Sequence, residues 1–145
     1  MNLKNKNVVI TSATRTAVGT FNGTLKNLHA HDLGSIVIKE AIKRSNLKAY
    51  EIDELIMGQV LTASAGQNPA RQAAIKSGLP IEKTAHIINQ VCGSGLRSIV
   101  AGYQAILSND SNIVVAGGQE SMSNAPYAID IRNNKKLDKS NLVDT

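Results

Sequence analysis

One cysteine occupies a setting in which a thiol can act as a nucleophile. Cys92, the only cysteine among the 145 residues, follows an apolar run at 86–91 and precedes Gly93, Ser94 and Gly95. A helix predicted to begin at this turn carries about half a positive charge at its N-terminus, which favours a thiolate over a thiol. The glycines allow a sharp turn that leaves the sulfur accessible. Without this turn we would interpret Cys92 as a small buried hydrophobic residue, the usual role of a lone intracellular cysteine.

A nucleophilic thiol needs a base within about 3 Å, and the three histidines are the local candidates. His86 opens the strand that ends near Cys92, and about six residues at roughly 3.3 Å each put it too far away. His29 and His31 precede the first predicted helix, at the same sheet edge as Cys92. Distance does not exclude them, but we expect surface or capping roles. We predict no metal site, because the histidines, the cysteine and the dispersed acids lack ligand spacing.

Strand and helix patterns alternate along the chain and position these residues. Short β-branched or apolar runs predict strands, and apolar residues at three- to four-residue spacing predict helices. The predicted strands are 8–11, 55–60, 86–91 and 112–116, and the predicted helices are 31–45, 68–77 and 94–108. Alternation predicts an α/β fold with a mixed, mostly parallel sheet, because parallel strands are joined by helical crossovers.

The predicted helix after Cys92 is apolar or small on nearly every side. Its apolar and small residues are Leu96, Ile99, Val100, Ala101, Gly102, Tyr103, Ala105, Ile106 and Leu107. A helix on an outer face of a sheet shows a polar stripe, so this pattern predicts one buried central helix in an internal layer. A chain of this length has difficulty covering such a helix alone. The alternative is a tightly packed helix in a small two-layer domain.

Composition excludes several classes of function. The net charge of +5 comes from 16 Lys and Arg against 11 Asp and Glu, spread along the chain, and the few aromatic residues are scattered. We therefore expect no nucleic-acid partner. There is no leader sequence, no apolar run of membrane-spanning length and no pair of cysteines for an intramolecular disulfide. These features predict a soluble cytoplasmic protein without membrane association.

Short motifs occur in a fixed order along the whole chain. They are Arg15-Thr-Ala-Val-Gly19, Phe21-Asn-Gly23, Met57-Gly-Gln-Val60, Gly66-Gln-Asn-Pro-Ala-Arg71, Gly117-Gly-Gln-Glu-Ser-Met-Ser123 and Ala125-Pro-Tyr127. The most specific is Asn89-x-x-Cys92-x-Ser94-Gly95-Leu96. With these motifs the chain resembles the N-terminal part of the thiolase family, the acetyl-CoA acetyltransferases and 3-ketoacyl-CoA thiolases.

The resemblance implies acyl transfer in two steps, in which Cys92 attacks an acyl-CoA, coenzyme A leaves, and a second acyl-CoA takes the acyl group. It makes Cys92 the nucleophile and its backbone N–H a donor to the oxyanion of the tetrahedral intermediate. Gly93, Ser94 and Gly95 would shape the turn, and Asn89 would brace the strand end. Coenzyme A thioesters are then substrates, and no bound cofactor is implied. The resemblance assigns no residues of this chain to the binding of coenzyme A.

The resemblance also implies that part of the catalytic machinery lies outside this chain. The Gly-His-Pro segment with the activating histidine, the Asn-Glu segment and the Cys-x-Gly-Gly-Gly segment are absent from the sequence. We expect a nucleophile-bearing half at 1–118 and the start of a truncated loop region at 119–145, poorly ordered after Tyr127. A homo-oligomer, or a partner chain that carries the missing half, is the expected assembly. Short-chain acetyl transfer is the favoured reaction.

Two other functions stay open. The segment Gly93-Ser-Gly-Leu-Arg-Ser98 resembles a dinucleotide fingerprint, with Glu120 where a ribose-binding acid would lie. Ser98 breaks the match, because the third position needs Gly or Ala for close helix packing. The second alternative is an inactive remnant that associates through its uncovered apolar face. We expect the 117–120 motif to have a structural role and not to contact substrate.

Overall fold

The computed structural model describes residues 7–132 and 141–145. Three parallel strands form its main sheet: β1 (Glu54–Gly58) is central, β2 (Thr84–Ile88) lies on one side and β3 (Val114–Gly118) on the other. Glu54 of β1 pairs with Thr84 and with Val114, so the three strands end at the same edge. The predicted α/β class with a parallel sheet is confirmed.

The three helices are α1 (Ala30–Arg44), α2 (Pro69–Ser77) and α3 (Ser94–Leu107). The predicted helices agree with these bounds to within one residue. Local chemistry explains where α2 begins and ends. The Asn68 side-chain oxygen accepts a hydrogen bond from Arg71 N at 3.1 Å, and Gly78 ends the helix at φ +94°, which glycine adopts without strain.

The hydrophobic core lies between β1 and the helices α1 and α2. Its buried members are Ile38, Ile42, Ile52, Leu55, Met57, Ala70, Ala73, Ala74 and Leu79. Successive strand residues face opposite sides, so Leu55 and Met57 face this core while Ile56 and Gly58 face α3. The crossovers therefore put α2 and α3 on opposite faces of the sheet.

Helix α3 is buried on one side only. Its small residues Ser94, Ser98 and Gly102 are buried, whereas Leu96 is 70% and Tyr103 is 49% exposed. A Cβ added to Gly102 would lie 3.1 Å from the side chain of Val114, so small residues let the helix approach the sheet closely. The expected burial of this helix is met on its small face, and the difficulty of covering its bulky face is visible in the exposed side chains.

The strand predicted at 8–11 is wrong. The structure gives this segment no strand, and Val9 and Ile10 are exposed. The following residues run along α1, where Ser12 Oγ donates to the Ala41 carbonyl at 2.8 Å and Thr14 Oγ1 donates to the Val37 carbonyl at 2.9 Å. A β-branched run becomes a strand only beside a partner strand, and it has none among the residues that the structure describes.

The remaining elements are short. The residues that the structure describes include the 3₁₀ helices Ala49–Glu51 and Met122–Asn124 and an antiparallel pair of strands, β4 (Tyr127–Ala128) and β5 (Val143–Asp144). The predicted poorly ordered tail includes 133–140, which lie outside the described residues. The domain boundary after residue 118 and the poorly ordered end remain predictions. None of the helices in the described ranges is long and apolar enough to cross a membrane.

Candidate active site

Cys92 lies exposed in the tight turn that joins β2 to α3. Backbone hydrogen bonds close the turn: Gly93 N donates to the Gln90 carbonyl at 3.0 Å, and Ser94 N donates to the Val91 carbonyl at 3.1 Å. The buried Ser94 hydroxyl accepts from Gln90 N at 2.8 Å and donates to the Val91 carbonyl at 2.6 Å. The Ser94 side chain thus bonds to the turn backbone at both Gln90 and Val91.

The residue before the cysteine has a strained backbone. Val91 has φ +49°, a left-handed conformation that is an outlier for a β-branched residue and costs on the order of 1–3 kcal/mol. Its N–H donates to Asn89 Oδ1 at 3.0 Å, and Asn89 Nδ2 donates to the Val60 carbonyl at 3.3 Å. Asn89 therefore joins the turn to the chain that leaves β1.

The beginning of α3 rests directly on the ends of β1 and β3. A Cβ on Gly58 would lie 2.3 Å from the Ser94 carbonyl carbon and 2.5 Å from Gly95 N. A Cβ on Gly118 would lie 3.2 Å from Gly95 Cα. Both glycines belong to motifs of the sequence, but the motifs alone do not indicate this packing role. Only the absence of side chains lets the cysteine turn lie this close to the strands.

An open pocket of about 720 Å³ faces Cys92. It lies beyond the carboxyl ends of the parallel strands, the usual ligand position in open α/β sheets. Its lining is largely apolar and includes Phe21, Val60, Leu61, Val91, Met122 and Ala125. Residues from the strand exits, the cysteine turn and the end of the chain thus surround one space next to the thiol.

A polar network that sequence analysis did not detect holds the exits of β1 and β3 together. Glu120 Oε2 accepts hydrogen bonds from Val60 N at 2.8 Å and Leu61 N at 3.3 Å. Gln119 Nε2 donates to Gln59 Oε1 at 2.9 Å, and Gln59 Nε2 donates to the Leu61 carbonyl at 2.9 Å. Both glutamines are buried. A polar residue directly after each apolar strand was the available signal.

Glu120 and Ser98 are the two residues that matter for the dinucleotide interpretation, which stays a prediction, and both are hydrogen-bonded within the fold. The Glu120 carboxylate, which would have to bind a ribose, already accepts two backbone N–H groups through one oxygen. The buried Ser98 hydroxyl lies 2.6 Å from the carbonyl oxygens of both Gly95 and Gly117. It therefore joins α3 to β3 where a nucleotide-binding helix would need a glycine or alanine.

The histidines lie away from the cysteine pocket, and no histidine of the described ranges lines it. His86 Nδ1 is 3.2 Å from Glu54 Oε1, the carboxylate of the residue that begins β1. His29 is the N-cap residue of α1, as expected, and its ring stacks on His31 at a centroid distance of 5.3 Å. The expectation of a surface or capping role is wrong for His31, which is buried at 8% exposure.

Burial lowers the pKa of His31, and the nearby Lys76 ammonium lowers it further. Asp32 raises the pKa of His31 by a smaller amount. The ring is therefore held neutral more strongly than a solvated histidine. Within the ranges 7–132 and 141–145, no group of three or more His, Cys, Asp or Glu side chains is arranged to hold a metal ion.

Known proteins have sequences similar to this one. Residues 8–145 match the family described as thiolase, N-terminal domain. An acetyl-CoA acetyltransferase of Rhizobium meliloti (strain 1021) is 52% identical over 143 residues, which are 99% of this chain and 36% of that protein. An acetyl-CoA acetyltransferase of Paracoccus denitrificans is 55% identical over 137 residues, which are 94% of this chain and 35% of that protein.

A solved thiolase structure has a similar fold. A crystal structure of the Acat5 thiolase from Ascaris suum, in complex with coenzyme A, superposes with a TM-score of 0.89 at 46% identity. The match covers 96% of this chain and 36% of that one, so the chain spans about a third of the length of these relatives. The matched residues, the curated relatives and the fold agree, and the chain belongs to the thiolase family.

Proposed function

We propose that this chain supplies the nucleophile of an acetyl-CoA acetyltransferase, which moves an acetyl group between coenzyme A thioesters through a thioester on Cys92. The observation that carries the proposal is the exposed Cys92 at a strand-to-helix turn, facing a largely apolar pocket of about 720 Å³. The names of the Rhizobium meliloti and Paracoccus denitrificans relatives support acetyl as the transferred group.

In the first step the Cys92 sulfur forms a bond to the carbonyl carbon of acetyl-CoA. The bond from that carbon to the coenzyme A sulfur then breaks, and coenzyme A leaves with the proton that the cysteine gave up. One thioester replaces another, so the step is close to isoenergetic. In the second step another acyl-CoA loses a proton from its α-carbon, and that carbon forms a bond to the acetyl carbonyl carbon. The bond from the acetyl group to the Cys92 sulfur breaks, and the sulfur takes up a proton, which regenerates the thiol.

Stabilisation of the tetrahedral intermediate is the second contribution that we propose for the turn. Cys92 directly precedes Gly93, the N-cap residue of α3, so its backbone N–H lies beside a helix N-terminus, where unsatisfied N–H groups and the helix dipole favour a negative oxygen. One well-placed donor of this kind contributes about 3 kcal/mol to the transition state. Asn89, Gly93, Ser94 and Gly95 support this role by holding the turn.

The base that takes the thiol proton is proposed to come from a complementary chain or chain segment. No histidine in the described ranges lines the Cys92 pocket, which supports an external base. The bulky face of α3, with Leu96, Ile99 and Tyr103 exposed, supports an assembly that covers this helix. The single cysteine supports a reducing compartment, the cytoplasm, as the location.

The test is transfer of an acetyl group to the chain, with and without a second polypeptide that covers the remainder of the Rhizobium meliloti relative. We expect intact mass spectrometry to detect one added acetyl group after incubation with acetyl-CoA, fastest in the mixture. Cys92→Ser should abolish the addition. A matched control is Cys92→Ser combined with Ser108→Cys, which puts an exposed thiol at the other end of α3.

Equal acetylation of Cys92 and of the Ser108→Cys thiol would contradict a specific acyl carrier. The exposed apolar face of α3 favours one second candidate, a chain that only associates. That function predicts a stable complex with the second polypeptide, unchanged by Cys92→Ser, and no acetylated Cys92. Sedimentation velocity measures the complex, and mass spectrometry decides between the two functions.

A further inference from the structure

We propose that Glu120 is a positioning residue for the nucleophile, acting on the Cys92 turn through a relay of hydrogen bonds that runs through Val60 and Asn89. The proposal rests on the proposed function for its catalytic meaning. The relay itself concerns only the placement of the thiol, so it can be measured without turnover. Glu120 and Asn89 follow different strands and are brought together by the exit of β1.

The relay begins at the Glu120 carboxylate, which bonds to the backbone through one of its two oxygens. Glu120 Oε2 accepts from Val60 N at 2.8 Å and Leu61 N at 3.3 Å, while Glu120 Oε1 is buried without a hydrogen-bond partner in the described residues. A part-buried carboxylate held by two backbone N–H groups forms charge-assisted bonds, which are the stronger class. The backbone at Val60 and Leu61 is therefore fixed by Glu120.

The second link passes through the same residue. The N–H of Val60 points to Glu120, and its carbonyl accepts from Asn89 Nδ2 at 3.3 Å. Asn89 is exposed, and its side-chain amide bonds to the chain on both sides, to Val60 and to Val91. The Asn89 side chain thus takes its orientation from a Val60 carbonyl that Glu120 helps to hold.

The third link reaches the turn. Asn89 Oδ1 accepts from Val91 N at 3.0 Å, and Val91 has the strained φ of +49°. A β-branched residue keeps such a conformation only when its surroundings over-determine it. Cys92 is the next residue, so a change at Val91 rotates the thiol relative to the first turn of α3. Loss of the Glu120 carboxylate should therefore change the position of the Cys92 sulfur, although the two groups are joined only through the relay.

The experiment measures the second-order rate at which iodoacetamide alkylates Cys92 at neutral pH in the full chain. We expect Glu120→Gln to slow alkylation about tenfold, because a loosened turn no longer holds the sulfur at the positive end of α3. Asn89→Ala should slow it by a similar factor. The double variant should be no slower than either single variant, since both act on one path.

Two further variants guard the interpretation. Glu54→Gln removes a carboxylate at the opposite edge of the sheet and should leave the rate within about twofold of wild type. If Glu120→Gln does not fold, as judged by circular dichroism, Glu120→Asp takes its place. Aspartate keeps the charge but is one methylene shorter, so it should slow alkylation about threefold in a folded chain.

An unchanged alkylation rate in a folded Glu120→Gln or Glu120→Asp chain would overturn the proposal. So would additive effects of the Glu120 and Asn89 variants, which would show two independent structural roles. A Glu120 variant that alters acetylation by acetyl-CoA but not alkylation would indicate direct contact with substrate and also overturn it. If wild type is never acetylated while the variants still slow alkylation, the proposed function fails and the positioning role stands.

Discussion

The two edges of the main sheet use the same device for different ends. At the amino edge, Asp53 Oδ2 accepts hydrogen bonds from Asn112 N at 2.8 Å and Ile113 N at 3.0 Å, which ties the beginning of β1 to the chain entering β3. At the carboxyl edge, Glu120 ties the chain leaving β3 to Val60 and Leu61, just after β1.

What differs is what lies beyond the bonded backbone. The Asp53 carboxylate fixes an entry loop that does not line the pocket facing Cys92. The backbone that Glu120 fixes accepts a hydrogen bond from Asn89, and Asn89 in turn accepts one from Val91 in the strained turn. That turn carries the Cys92 thiol and lines the pocket. The comparison teaches that a carboxylate clamp is a general way to join parallel strands. Of the two clamps, the one at the carboxyl edge holds residues that line the pocket facing Cys92.

The largest effect is expected from a single methyl group at the carboxyl edge. Gly58→Ala should destabilise the fold by about 3 kcal/mol, because its Cβ would lie 2.3 Å from the Ser94 carbonyl carbon and must push α3 away. Urea denaturation measures the loss. Gly95→Ala is the control, since its Cβ would meet no atom closer than 3.7 Å. Equal stability of the two variants would contradict the close packing that we describe.

Removing the amino-edge clamp should separate stability from reactivity. Asp53→Ala deletes the acceptor of two backbone N–H groups and should cost about 1 kcal/mol, a value reduced by its partial exposure. The alkylation rate of Cys92 should stay within about twofold of wild type. Denaturation and thiol labelling on the same sample test both expectations. A slowed thiol would mean that the two edges are coupled and would break the comparison.

Acid should weaken the amino edge through its carboxylate. The backbone N–H groups of Asn112 and Ile113 lower the pKa of Asp53. A lowered carboxyl pKa gives stability that is present above the unfolded value, about 4, and lost as the pH falls through the folded value. Asp53→Ala should flatten this part of the stability profile measured by denaturation.

The buried His31 adds a separate loss at milder pH. Its pKa is lowered in the fold, so the unfolded chain binds the proton more readily and stability should decline as the pH falls below about 6.5. His31→Gln should remove the pH dependence between about 7 and 5 without changing it near pH 4. Thermal denaturation at a series of pH values measures both regions, and an unchanged profile would count against a neutral buried ring.

The smallest effect on stability is expected from the bulky face of α3. Leu96 is 70% exposed, so Leu96→Glu should change the free energy of unfolding by less than about 0.5 kcal/mol. It should nevertheless weaken association with the complementary polypeptide, measured by sedimentation. Gln104→Glu, at an exposed position of the same helix, adds the same single negative charge and is the matched control.

Sequence patterns predicted the elements that depend on local chemistry. The beginning of α3 followed from the Gly-Ser-Gly turn, and the Asn68 cap and Gly78 end of α2 enclose its helical pattern. The segment 8–11 failed because strand formation depends on a neighbouring strand, which a β-branched run does not specify. The Cys92 turn could be located from sequence, whereas its hold by Glu120 could not, because Glu120 and Val60 lie 60 residues apart.

The stripe of small residues on α3 has a consequence for the depth of the thiol. Ser94, Ser98 and Gly102 recur every four positions and are the buried residues of this helix. The small side chains of the two serines and the missing side chain of Gly102 let the helix lie close to the sheet. Enlarging Gly102 would tilt the far end of the helix, and enlarging Ser94 would lift the near end that carries the sulfur. The sizes of these side chains thus set how far the Cys92 turn lies from the strands.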